Sequence, residues 1–93
     1  MNEGRQLLCA ATTGHVEVIK VLLQLGADKE AKNAQGATSL LLAADGGHVE
    51  TVKVLLQFGA DKEAKNAGAT PLHAAADKGH AEVIKVLVEA GVD

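Results

Sequence analysis

One short unit recurs along this chain at a nearly fixed interval. The pair Gly-His begins at Gly14, Gly47 and Gly79, 33 and 32 residues apart, and each pair precedes a stretch rich in Val and Leu. A period of this length is typical of stacked supersecondary units, none of which can bury its apolar face without a neighbour. The 93 residues are therefore expected to form one domain of about three stacked units.

The first two copies of the unit are nearly identical. Residues 14–34 and 47–67 differ at three of 21 positions, so 18 positions agree. The third copy is looser and is cut short by the end of the sequence, and the first lacks the Thr-Pro pair that opens the third. We place the repeats at about residues 5–34, 35–67 and 68–93, with the first and last incomplete.

Composition restricts the class of protein. Hydrophobic residues make up 47% of the chain but Phe58 is the only aromatic residue, so the core has to be built from small aliphatic side chains, which suits closely packed helices. The formal net charge of -3, with Lys and Glu interleaved, argues against nucleic-acid binding, which needs a clustered basic face.

Neither a membrane-spanning segment nor a secretory signal is expected from the sequence. No apolar run approaches the roughly 20 residues that cross a bilayer, and the first five residues lack the apolar segment of a secretory signal. We therefore expect a cytoplasmic or other intracellular protein.

Each unit predicts two helices and a polar loop. Thr70 is a favourable N-cap and Pro71 fits the first helical position, so a short helix should begin there and end near Gly79. A second helix, with Glu and Lys spaced one turn apart, follows at once. The polar run that comes after it, residues 28–33 in the first copy, predicts a β-hairpin or an extended turn.

These features together resemble the ankyrin repeat family. The family motif is matched by Thr-Pro-Leu-His-Ala-Ala at residues 70–75, by Gly-His at 79–80 and by Gly-Ala-Asp at 59–61, at the family's usual period. The resemblance covers residues 5–93 and implies an all-α solenoid of stacked antiparallel helix pairs with short β-hairpin or turn loops. It also implies a scaffold that binds another protein, without catalysis, cofactor or metal.

The resemblance further indicates where a partner would bind. In similar proteins the contacts come from the hairpin tips and from the exposed side of the first helix of each repeat. The positions carried over by matched position are Thr12, Thr13, Lys32, Asn33, Gln35, Ala37, Asp45, Gly46, Lys65, Asn66, Ala69, Asp77 and Lys78. This set has no Trp, Tyr or Arg, the residues enriched at binding hot spots. Weak binding, a binding surface in repeats outside this sequence, and plain solvation of these positions all stay open.

Two departures from the family pattern carry their own expectations. Residues 38–41 read Thr-Ser-Leu-Leu where the family has Thr-Pro-Leu-His, so the first helix of repeat two should be held less firmly, by about 1 kcal/mol. The loop at Asn66 is one residue shorter than the loop at Asn33, which predicts a different turn type. The shorter loop is interpreted either as simple tolerance of loop length or as a reshaped finger that changes what the surface can bind.

The histidines and the cysteine are interpreted as structural. His15, His48 and His80 recur once per repeat, about 10 Å apart, whereas zinc ligands converge within about 2.1 Å of one point. Each imidazole is expected instead to hydrogen-bond the loop backbone between repeats. Cys9 lies in an apolar run and is predicted to be buried, and it is too far along the stack from His73 to form a catalytic pair.

The sequence leaves a second function open and raises a concern about the ends. Near-identical copies are also expected of a structural spacer, or of a consensus-like engineered scaffold with no dedicated partner. The last helix, at residues 81–90, has few charges on its outer side, so the C-terminal repeat is predicted to be weakly capped, with fraying, end-to-end self-association or dependence on further repeats. Arg5 and Gln6 are interpreted as a partial N-terminal cap or as the cut edge of a longer array.

Overall fold

Six helices account for most of the chain. The computed structural model describes residues 3–91, and its helices are α1 Glu3–Thr13, α2 Val16–Gln24, α3 Ser39–Gly46, α4 Val49–Gln57, α5 Pro71–Lys78 and α6 Ala81–Glu89. Within these residues the loops before α3 and α5 each contain a single β-bridge, Lys32 with Thr38 and Asn66 with Ala69, and no longer strand. The predicted all-α architecture with short turn loops is confirmed.

The helices stack in pairs along one direction. α1 packs against α2, α3 against α4 and α5 against α6, and each of α3 and α4 also contacts its counterparts in the repeats on either side. The molecule measures 33 × 24 × 20 Å along its principal axes. Because the main contacts run between adjacent repeats, the middle repeat is covered on both sides and the outer repeats on one side each.

A continuous aliphatic core runs through all three repeats. Its fully buried members are spaced at helical intervals on the inner faces of the helices, and the largest are Leu7, Ile19, Leu40, Leu55 and Leu87. Small alanines at the same faces, such as Ala43 and Ala75, let the helices approach closely. The core therefore uses the small aliphatic residues that the composition predicted.

The first helices of the second and third repeats begin and end where the sequence predicts. Thr70 is the N-cap of α5 and Pro71 is its first residue, and Thr38 occupies the same place before α3. Gly47 and Gly79 follow these helices with φ of 73° and 74°, the left-handed conformation that closes a helix. The expected helix boundaries are confirmed.

The prediction that Cys9 is buried is wrong. Its side chain is exposed, because Leu7, Ala10 and Ala11 form the inner face of α1 and Cys9 points away from them. The counterpart of Cys9 in repeat three, Ala74, is buried, and α5 packs against α3, the first helix of the repeat before it.

The helices are short. Among residues 3–91, none is both long enough and apolar enough to cross a membrane.

Candidate functional site

An open groove of about 790 Å³ lies beside the first helices of repeats two and three. Its walls come from α3, α5 and the loops that precede them. We call these loops finger 1 (residues 32–38) and finger 2 (residues 65–70). The groove is lined by Asn33, Gln35, Ala37, Leu41, Leu42, Asp45, Asn66, Ala69, His73, Ala74, Ala76 and Asp77.

Finger 1 is a three-residue hairpin loop fixed by Asn33. The side-chain Oδ1 of Asn33 accepts hydrogen bonds from the backbone N–H groups of Gln35 and Ala37, both at 2.9 Å. Gly36 takes a φ of 80°, and its N–H donates to the Asn33 carbonyl at 2.9 Å. A loop of this kind, a turn followed by a glycine in the left-handed region, is a common three-residue hairpin connection. Asn33 therefore sets the shape of this wall.

Finger 2 is a hairpin closed by a two-residue loop. Asn66 and Ala69 exchange both backbone hydrogen bonds, at 3.1 Å and 2.7 Å. The two residues between them, Ala67 and Gly68, have φ of 45° and 86°, as a type I′ hairpin turn requires. The predicted change of turn type is confirmed, and it places a non-glycine residue in the left-handed region.

The two fingers are tied to each other. The Asn66 side-chain amide donates to the Gln35 carbonyl at 3.1 Å, so finger 2 stands against finger 1. In the loop segments that precede the two fingers, the Glu30 carboxylate accepts a hydrogen bond from the Asp61 backbone N–H at 2.8 Å. These contacts across the repeat boundary hold the two walls in register.

His73 lines the groove and also fixes the start of α5. Its Nδ1 lies 3.3 Å from the Thr70 backbone nitrogen, which donates to it, while the Thr70 hydroxyl accepts from the His73 N–H at 3.2 Å. The two residues form a reciprocal capping box. Each residue satisfies a backbone N–H that the helix itself cannot.

Carboxylates dominate the charge of the groove. Asp45 forms an ion pair with Lys78 at 3.3 Å, and both side chains are about half exposed. Asp77 is exposed and has no ion-pair partner within residues 3–91. The groove thus combines apolar side chains with one carboxylate that is open to a cationic group.

The structure brings together seven of the thirteen predicted contact residues in this groove. They are Asn33, Gln35, Ala37, Asp45, Asn66, Ala69 and Asp77. Ala37 is only 3% exposed, so it forms the floor rather than a contact tip. Thr12 and Lys32 line a smaller neighbouring groove, which they share with Asn33. The remaining four, Thr13, Gly46, Lys65 and Lys78, are exposed but line neither groove.

Sequence reasoning missed the apolar lining of the groove. Leu41 and Leu42 stand about one helical turn before Asp45, so helical spacing from Asp45 could have placed them in the groove too. Arg5 and Cys9 line the neighbouring groove. Arg5, which lies outside the predicted set, is of a residue type enriched at binding hot spots.

The recurring histidines join one repeat to the next. Nε2 of His48 donates to the Thr12 carbonyl at 3.0 Å, and Nε2 of His80 donates to the Asp45 carbonyl at 2.9 Å. The predicted hydrogen bond to backbone between repeats is confirmed for these two residues, but the acceptors lie in the last turns of α1 and α3 and not in a loop. His15 belongs to the first repeat, which has no earlier repeat beside it in the described residues. Over the same part of the chain, no cluster of three or more His, Cys, Asp or Glu side chains is placed to hold a metal ion.

Comparison with known protein families gives one match. A family model described as ankyrin repeats (3 copies) matches residues 7–93. No curated protein matches this chain.

Proposed function

The chain belongs to the ankyrin repeat family, and from that premise we propose that it is a non-catalytic scaffold that binds another protein through its two fingers and the exposed side of α3 and α5. Ankyrin repeats are in general modules of protein–protein interaction. The observation that carries the proposal is the groove, because both fingers and both first helices contribute to one open surface.

The walls of the groove suit an extended or helical segment of a partner. They are held by hydrogen bonds within and between the fingers, so little order has to be imposed when a partner binds. The helical side offers the apolar surface of Leu42 and Ala76, and the finger side offers the amides of Asn33 and Gln35. A small set of convergent polar groups on a largely apolar surface is typical of a binding site.

The free carboxylate indicates the chemistry of the partner. Asp77 has no cation beside it within the described part of the chain, whereas Asp45 is paired with Lys78. A partner segment with an apolar side chain for Leu42 and Ala76 and a Lys or Arg for Asp77 fits this arrangement. The proposed partner is a protein of this kind, bound inside the cell, and neither nucleic acid nor membrane.

A structural spacer is the second candidate function. The observation in its favour is where the near-identical copies differ: Val18, Ile19 and Leu25 become Thr51, Val52 and Phe58, and none of these six residues lines the groove of repeats two and three. Within the compared residues 14–34 and 47–67 the differences are thus confined to the second helices and their ends. A spacer, or a consensus-like scaffold with no dedicated partner, would show near-identity of this segment, whereas the first helices that line the groove lie outside it and differ from repeat to repeat.

A capture experiment with matched charge changes tests the proposal. The groove variant carries Gln35→Arg and Asp77→Lys, and the control carries Gln57→Arg and Glu82→Lys, which make the same changes on the exposed surface of α4 and α6. Partners are captured from cell extract and identified for each protein. The proposal predicts a protein that the original chain and the control retain and that the groove variant loses.

The charged residues at the start of each finger are tested in a separate arm. Lys32→Ala with Lys65→Ala removes these charges without altering the residues that line the groove of repeats two and three. Weaker capture by this variant extends the site to the start of the fingers, and unchanged capture confines it to the groove. Equal capture by the groove variant and its control contradicts the proposed site, and the absence of any specific partner favours the spacer.

A further inference from the structure

The second helix of the first repeat exposes a row of apolar side chains. Val18 and Val21, on one face of α2, are 48% and 52% exposed, and Leu25, the residue that follows α2, is 74% exposed. We call this row the head face. In α4, whose sequence is nearly the same, the residues equivalent to Val18 and Val21 are Thr51 and Val54, which are 1% and 5% exposed. They are covered because α4 has α2 packed against it.

The opposite end of the stack exposes the complementary surface. Val88 of α6 is 54% exposed, whereas its counterparts are buried in the first repeat, at Leu23, and partly buried in the second, at Leu56. Ile84 and Ala76 are likewise more exposed than the residues equivalent to them in the first repeat, Ile19 and Ala11. We call Ile84, Val88 and Ala76 the tail face.

Polar groups at the two ends also match. Inside the stack the ring of His48 covers Gly14 so closely that a Cβ there would lie 2.5 Å from it, and the ring of His80 covers Gly47 in the same way. A Cβ on Gly79, the third glycine of the series, would meet nothing within 4 Å. The tail therefore has an open place for one more imidazole, and the head carries His15, which is exposed.

The hydrogen-bond acceptor for that imidazole is present as well. His48 and His80 donate to the carbonyls of Thr12 and Asp45, and the equivalent carbonyl at the tail belongs to Asp77. This carbonyl lies in the last turn of α5, where helices leave carbonyl groups unpaired. Head and tail thus carry the two halves of the interface that already joins one repeat to the next.

From this match we infer that copies of this chain associate head to tail, with the head face of one copy on the tail face of another and His15 over Gly79, bonded to the Asp77 carbonyl. The interface repeats the contact between adjacent repeats and uses none of the fingers. A head-to-tail contact joins two different surfaces, so it leaves a free face at each end and extends into a row. The inference does not depend on the proposed partner.

Arg5 and Gln6 limit the strength of this contact. They occupy the positions of Thr38 and Ser39, which are almost fully buried in the second repeat. Docking at the head would cover parts of these two polar side chains, whose long stems allow the charged or amide ends to reach water. The association is therefore expected to be weaker than the internal contacts, with a dissociation constant in the micromolar to millimolar range.

Sedimentation velocity on the 93-residue chain and two blocked variants tests the inference. Val21→Glu blocks the head face and Val88→Glu blocks the tail face, and both positions are exposed, so each variant should keep its helical circular dichroism. The original chain should form species larger than a dimer as concentration rises. Each variant alone should stay monomeric, and an equal mixture of the two should form a dimer and stop there, because one intact head meets one intact tail.

Two further variants test whether association is specific to the head face and whether His15 takes part in it. Gln24→Glu, on the exposed side of α2 but outside the head face, should associate like the original chain. His15→Ala should lower the association constant about fivefold, through loss of one hydrogen bond. A monomeric original chain at about 1 mM, a mixture that stays monomeric, or a blocked variant that dimerises alone would each overturn the inference.

Discussion

The two finger-to-helix junctions, residues 33–41 and 66–73, reach the same backbone geometry with different side chains. Both begin α3 or α5 from a threonine N-cap with ψ of 170°. The second junction adds Pro71 at the first helical position and a reciprocal bond in which the His73 ring accepts from the Thr70 backbone N–H. The first has Ser39 and Leu41 instead, both buried, and the Ser39 hydroxyl is buried without a hydrogen-bond partner.

The comparison shows two ways of starting a helix between stacked repeats. At the second junction, the side chains of Thr70 and His73 hydrogen-bond to backbone N–H groups at a partly exposed site. The first replaces one of those bonds with apolar packing, because Leu41 is 7% exposed and His73 is exposed. Burial makes the first junction more dependent on the single bond that remains, from the Leu41 N–H to the Thr38 hydroxyl at 3.3 Å.

Removing the threonine caps should give the largest difference in stability loss between the two junctions. Thr38→Ala leaves the Leu41 N–H buried without an acceptor and should lower the free energy of unfolding by about 2 kcal/mol. Thr70→Ala should cost about 1 kcal/mol, because water can reach the His73 N–H. Urea denaturation of both variants measures the difference. A larger loss of unfolding free energy for Thr70→Ala than for Thr38→Ala would contradict the proposed dependence of the first junction on its single bond.

Exchanging the third helical residue tests whether packing compensates for the missing capping box. Leu41→His would gain a capping bond but lose most of a buried leucine, for a net loss of about 1 kcal/mol in unfolding free energy. The reverse change, His73→Leu, exposes the leucine and should lose only the capping bond, about 0.5 kcal/mol. If Leu41→His stabilised the chain in thermal or urea unfolding, packing at Leu41 would not be the compensation described.

The first helical residue offers a stabilising change. Ser39→Pro removes the unpaired buried hydroxyl and presets φ for the start of α3, so it should raise the unfolding free energy by about 1 kcal/mol. Pro71→Ser should lower it by a similar amount. The two midpoints of urea unfolding are expected to move in opposite directions, and a loss of stability in Ser39→Pro would contradict the equivalence of the junctions.

Substitutions in the finger turns should change the free energy of unfolding by about 1 kcal/mol or less. Ala67→Gly relieves a φ of 45° that alanine adopts only at a cost and should stabilise the chain by about 0.5 kcal/mol. Gly36→Ala at a φ of 80° in finger 1 should instead destabilise it by about 1 kcal/mol. Differential scanning calorimetry of the pair checks the signs, and stabilisation by Gly36→Ala would refute the turn assignment.

Much of the fold could be predicted because its signals are local. The caps at Thr38 and Thr70, the helix ends at glycine and the change of turn at finger 2 all depend on residues within one loop or one turn. The positive φ of Ala67 was not predicted, because alanine itself disfavours that conformation and the closure of a two-residue loop imposes it.

The site was predicted less well because it depends on neighbours. The residue type does not decide whether Ala37 lies at the tip of a finger or on the floor of the groove, or whether Cys9 is buried. Both depend on which helix packs against the residue. Leu41 and Leu42 were missed because aliphatic residues on a helix next to the core are normally assigned to the core.

Residue-resolved hydrogen exchange on the 93-residue chain at low concentration tests the central claim, that each repeat is stable through burial against its neighbours. The middle repeat is covered on both sides and the outer repeats on one, so the backbone amides of α3 and α4 should exchange most slowly and those of α6 distinctly faster. Slowest exchange in α6, or equal protection of all six helices, would contradict the account.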